Sequence, residues 1–135
     1  MPATARLRAL VVDDDQAMLA YVARVLTGGG YETATASDGD DALRLCDEQP
    51  PFDVYVVDLM MPRMRGDELG RRLRLREPDV KVLYFTGYSD RLFAERQLLW
   101  EHEAFLEKPV TENGLLEAVS LLLFGNLHGQ EQATL

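Results

Sequence analysis

A chain of 135 residues fits one domain with one core, and 47% hydrophobic with 27% charged residues is the balance of an ordinary globule. A net charge of -9 argues against a nucleic-acid partner, because a phosphate backbone needs a basic face. The single cysteine, Cys46, excludes an internal disulfide and any multi-cysteine metal site, and its place in a helical pattern reads as a small core residue. Arg6 and Arg8 precede Ala9-Leu10-Val11-Val12, but Asp13-Asp14-Asp15 cuts that run too soon for a signal peptide. No apolar stretch is long enough to cross a bilayer, so neither membrane nor export is expected and the default compartment is cytoplasmic.

Residues 7–12 are a short apolar run ending on the three aspartates: strand, then loop. Over residues 16–27, Met18, Leu19, Val22, Val25 and Leu26 fall at helical spacing, and Gly28-Gly29-Gly30 stops the helix. Residues 31–36, with Thr33 and Thr35, favour a strand. Ser37-Asp38-Gly39 turns the chain, Asp40 or Asp41 opens a helix carrying Ala42, Leu43, Leu45 and Cys46, and Pro50-Pro51 ends it. Val54-Tyr55-Val56-Val57 is apolar throughout and ends on Asp58, the pattern of a strand buried on both faces. Pro62 keeps Met61 out of helical conformation, so no helix starts early enough to cover that carboxylate. Residues 66–76 read as an arginine-rich helix with Leu69, Leu73 and also Leu75 assigned inward. Residues 81–86 form another apolar run ending on Thr86, residues 90–100 a further helix, and residues 104–107 a short strand ending on Lys108-Pro109. A last amphipathic helix spans residues 110–124 with Leu115, Leu116, Val119, Leu122 and Leu123, before a polar tail over 125–135. Strands and helices alternate, which predicts an α/β domain over residues 1–124 with a mainly parallel sheet.

In a parallel sheet all carboxyl ends of strands share one edge, where open α/β sheets bind ligands. The residues that converge there are Asp13 and Asp14, Asp58, Thr86 and Lys108. Clustered carboxylates repel one another unless a cation sits among them, and oxygen ligands with water access suit Mg2+. A lysine adds a compact positive charge and a threonine adds a hydroxyl. Such an arrangement around one carboxylate makes a phosphoryl site, with Asp58 as the nucleophile. Each residue has a plainer role open to it. Asp14 or Asp15 suits a helix cap, Thr86 a strand end, and Lys108 an exposed loop. Their ordered arrival at successive strand ends favours the site.

Val11-Val12-Asp13-Asp14-Asp15, the segment Asp58-Leu59-Met60-Met61-Pro62-Arg63-Met64-Arg65-Gly66, Thr86-Gly87 and Lys108-Pro109 together resemble the receiver (CheY-like) domain of two-component response regulators. The resemblance covers nearly the whole chain. It implies a doubly wound, flavodoxin-like sheet of order 2-1-3-4-5 with helices on both faces. It also implies Mg2+ held by Asp13, Asp14, Asp58 and the backbone carbonyl of Met60. Asp58 would take a phosphoryl group from a histidine kinase or a histidine phosphotransfer protein, Lys108 would bridge to that group, and Thr86 would move in to bond it. Phe105 stands at the aromatic switch position and, lacking a phenolic oxygen, would switch by packing alone. Met60 and Tyr88 flank the site and are expected to set the lifetime of the acyl phosphate, their bulk slowing hydrolysis.

Some positions depart from the family's pattern. Arg65 stands where many relatives carry a small or acidic residue, and Glu101-His102-Glu103 replaces a common Gly-Ala pair. His102 and His128 have no third ligand or helical-bundle setting, so neither reads as a metal ligand or phosphocarrier. The expectation is a signalling switch that catalyses only its own phosphorylation and dephosphorylation, acts on a downstream protein, and is a monomer or a phosphorylation-dependent dimer. The alternatives are a receiver fragment of a hybrid histidine kinase and a haloacid-dehalogenase-type phosphatase. The phosphatase would use Asp13 as nucleophile and Asp15 as acid-base, and it leaves the Asp58 segment unexplained.

Overall fold

The computed structural model describes residues 6–87 and 103–125. In chain order the elements are β1 (Arg8–Val12), α1 (Gln16–Gly28), β2 (Glu32–Ala36), α2 (Gly39–Glu48), β3 (Val54–Asp58), α3 (Gly66–Arg76), β4 (Val82–Thr86), β5 (Glu103–Glu107) and α4 (Glu112–Phe124). The helix expected over residues 90–100, Tyr88, His102, His128 and the tail beyond Gly125 lie outside the described residues.

The strands form one parallel sheet in the order β2-β1-β3-β4-β5, as the resemblance implied. Every residue of β3 and β4 is buried, which accounts for their unbroken apolar runs. Side chains alternate across the sheet and so build two cores. Leu10, Val12, Tyr55, Val57 and Tyr84 face α2 and α3, meeting Ala42, Leu69 and Leu73. Ala9, Val11, Val56, Leu83 and Phe85 face α1 and α4, meeting Val22, Leu26, Leu115 and Val119. Cys46 is half-buried against the first of these cores, as a small packing residue.

Several local expectations are corrected. Leu75 is 75% exposed: two residues past Leu73 a helix has turned to its far side, so Leu75 points away from the core. Helix α2 starts at Gly39 rather than at Asp40 or Asp41, because Asp38 is its cap and accepts from the Asp41 amide. Helix α4 starts at Glu112 rather than Val110, with Thr111 accepting from the Gly114 amide. At the end of α1 the left-handed turn falls on Gly30, at φ 100°, and it delivers the chain into β2.

Candidate functional site

Strands β1, β3, β4 and β5 deliver their ends to one edge. Asp13 follows β1 and is fully buried, while Asp14 beside it is exposed. Asp15 serves as the cap of α1, its Oδ1 accepting from the amides of Ala17 at 3.0 Å and Met18 at 3.3 Å. The Asp15 amide in turn donates to Asp13 Oδ1 at 2.9 Å and fixes that carboxylate. The three aspartates thus take three settings: Asp13 buried, Asp14 exposed at the edge and Asp15 capping α1.

Asp58 ends β3, nearly buried, and caps no helix; the residue before α3 is Arg65, which makes no side-chain capping bond. One carboxylate oxygen from each of Asp13, Asp14 and Asp58 lies within 4.8 Å of the others. Lys108 Nζ stands 3.4 Å from Asp58 Oδ1, and the Lys108 amide donates to the Thr86 carbonyl at 2.7 Å, tying the ends of β4 and β5 together. From behind, Tyr21 Oη of α1 donates to the Val110 carbonyl at 3.0 Å and steadies the Lys108 loop. All five residues singled out in the sequence therefore meet at one edge.

The loop after Asp58 folds tightly over its own strand. The Gly66 amide donates to the Leu59 carbonyl at 2.8 Å, and a Cβ at position 66 would sit 2.3 Å from the Asp58 carbonyl oxygen. Only glycine permits that approach. Arg63 adopts φ 67°, and its guanidinium pairs with Asp38 at 2.9 Å. Met60 is 44% exposed; its backbone amide donates to the Asp58 carboxylate, and its thioether accepts from Arg65 at 2.9 Å.

Burial dominates the electrostatics. It pushes the Asp13 carboxyl up to about 6, with the charges of Asp58 and Asp14 adding and the Asp15 amide and Lys108 opposing. Asp58 is raised in the same way, first by burial, with Lys108 pulling against it. Asp13 Oδ2 and Thr86 Oγ1 are buried without a hydrogen-bond partner among the described residues. An orphaned carboxylate oxygen inside an all-oxygen cluster fits a hard divalent cation such as Mg2+, and an orphaned hydroxyl fits an acceptor arriving at the site.

Phe105 is half-buried against the α2–α3 side of the sheet, its ring stacked on Tyr84 at 5.3 Å between centroids. Sequence reasoning missed what surrounds it. Tyr84 Oη donates to Glu103 Oε2 at 2.9 Å, and the same oxygen pairs with Arg74 of α3. A glutamate and an arginine 29 positions apart give no pattern to find. Gly66 and Gly70, glycines at the start and in the middle of a helix, were the visible signals of close approach.

Residues 9–120 match the response regulator receiver domain family. The chain belongs to that family. It is similar to the response regulator MprA of Mycolicibacterium vanbaalenii, 33% identical over 85% of this chain and 57% of that protein. It is also similar to the sensor kinase CckA of Brucella abortus, 33% identical over 84% of this chain and 12% of the kinase. The chain therefore spans little more than half of one relative and a small part of the other. Among solved structures it resembles a receiver domain protein from Clostridium thermocellum, with a TM-score of 0.76 and 29% identity over 87% of this chain and 94% of that one. Receiver domains work in two-component signalling, and this chain carries that fold with its five-stranded sheet.

Proposed function

We propose that Asp58 is the phosphoacceptor of a signalling switch. The observation that carries this reading is the cluster of Asp13, Asp14 and Asp58 oxygens with Lys108 set 3.4 Å from Asp58. Asp58 attacks the phosphorus of a phosphohistidine on a histidine kinase or phosphotransfer protein. The new O–P bond forms as the P–N bond breaks, and the imidazole leaves with the electron pair and takes up a proton. Asp13, Asp14, Asp58 and the Met60 carbonyl would hold Mg2+, which when bound offsets the carboxylates' repulsion and the charge on the transferring oxygens. Lys108 pairs with a phosphoryl oxygen and Thr86 donates its orphaned hydroxyl to another. Water attack on phosphorus reverses the modification, and Met60 and Tyr88 set its pace. The chain turns over no external substrate beyond its phosphodonor.

The consequence is a population shift, in which the phosphoryl group binds better to the packing that has Thr86 drawn in and Phe105 rearranged. A downstream protein reads the altered surface. We assign the receiver unit to residues 1–124 with a tail over 125–135, and the setting to the cytoplasm, as a monomer or phosphorylation-dependent dimer. The similarity to CckA favours a second setting, as a segment that serves a hybrid kinase.

Incubation with acetyl phosphate and Mg2+, followed by intact mass, tests the reading. One adduct that needs Mg2+ and vanishes in Asp58→Asn is expected. An adduct that survives Asp58→Asn and disappears in Asp13→Asn would overturn it.

A further inference from the structure

One face of β4 and β5 carries a row of side chains that leads away from the site. Residues two apart share a face, so Thr86 and Tyr84 lie on the same side of β4, and Phe105 and Glu103 on the same side of β5. The register pairs Tyr84 with Phe105, which places the stacked rings next to Thr86. Beyond the rings, Tyr84 Oη donates to Glu103, and Glu103 pairs with Arg74 of α3. The ion pair is shielded, with the Glu103 side chain 6% and the Arg74 side chain 15% exposed. Shielded pairs hold their geometry because breaking one strands an uncompensated charge.

Helix α3 is built to admit this connection. A Cβ at position 70 would lie 1.8 Å from Tyr84 Oη, so glycine there opens the slot through which the phenol reaches Glu103. Arg74 stands one turn further along the same helix face. On its other side α3 begins at Gly66, locked against the Asp58 backbone. The helix is therefore attached to the site at its first turn and to the aromatic stack at its last.

We propose that Arg74, Glu103 and Tyr84 are positioning residues for the switch, coupling Phe105 to α3 so that phosphorylation of Asp58 alters α3. This rests on the phosphoacceptor reading. The helix cannot stay indifferent when the ring on Tyr84 repacks, because the phenol, the carboxylate and the guanidinium are bonded in series. The surface that reports phosphorylation then includes the outer side of α3, where Arg71, Arg72 and Leu75 are exposed.

Backbone hydrogen exchange over residues 66–76, with and without acetyl phosphate and Mg2+, is the test, with adduct yield read on the same samples by intact mass. Phosphorylation is expected to change exchange in α3 by about threefold or more. Tyr84→Phe keeps the ring and its stack but loses the bond to Glu103. It should form the adduct to the wild-type level yet show less than half of the exchange response. Glu103→Gln, which keeps an acceptor but not the ion pair, should behave likewise. Full adduct with unchanged α3 exchange in the wild type would overturn the proposal, as would an undiminished response in Tyr84→Phe. Absence of the adduct itself would instead bring down the phosphoacceptor reading, and this proposal with it.

Discussion

Asp13 is held in a place that disfavours its own charge. Its carboxyl is raised from 3.8 to about 6, so between those values the folded chain binds more protons than the unfolded one. Its contribution to stability is therefore fully present below 3.8 and lost as pH rises through about 6. Asp58, raised for the same reason, acts with the same sign. In EDTA, the urea midpoint should fall as pH is raised across that window. Asp13→Asn should flatten the fall and stabilise the metal-free protein at pH 7 by about 1–2 kcal/mol, while abolishing Mg2+-dependent phosphorylation. A destabilised Asp13→Asn protein in EDTA would show that the carboxylate is held by favourable bonds instead. The neighbouring aspartates should separate cleanly in the same assay. Asp15→Ala loses the cap of α1 and about 1 kcal/mol but still takes the phosphoryl group, whereas Asp14→Ala keeps its stability and loses affinity for Mg2+.

At the scale of elements, the site depends on how closely α3 starts beneath β3. Gly66→Ala forces a Cβ against the Asp58 carbonyl, and the strand end must shift to admit it. A loss of about 1–3 kcal/mol by urea unfolding, with slower phosphorylation, is expected. A fully active, equally stable variant would mean that the loop yields without moving Asp58. The elements themselves were largely readable. β3 and β4 announced themselves as unbroken apolar runs because both faces are covered, and their terminal Asp58 and Thr86 followed from where those runs stopped. The boundary errors arose where polar side chains decide. Asp38 and Asp40 look alike in sequence, and only the fold shows which reaches an amide. The apolar character of Leu75 suggests an inward position, but the phase set by Leu69 and Leu73 places it outward. The Arg74–Glu103–Tyr84 contact was out of reach, since it joins three elements that no periodicity connects.

For the whole molecule, a net charge of -9 produces self-repulsion that any salt relieves, while the aspartate cluster should respond to one cation in particular. Thermal midpoints should rise modestly with NaCl at pH 7. MgCl2 at equal ionic strength should raise them further, and Asp13→Asn should erase the difference between the two salts. Equal effects of both salts on the wild type would argue that the cluster selects no divalent ion. The slot at Gly70 bears on how such a chain can change by descent. A side chain at position 70 cannot coexist with the hydroxyl of Tyr84, 1.8 Å from where its Cβ would stand. The order of replacement is thereby constrained: phenylalanine at 84 removes the closest contact first, and the ring carbon 3.0 Å from the same Cβ must then give way for alanine at 70. Once phenylalanine stands at 84, the carboxylate at 103 has lost its phenol, and a neutral residue there becomes easier to accept. Among descendants of such a sequence, positions 70, 84, 103 and 74 should drift together, so that ancestry could be read from which of the four has let go first.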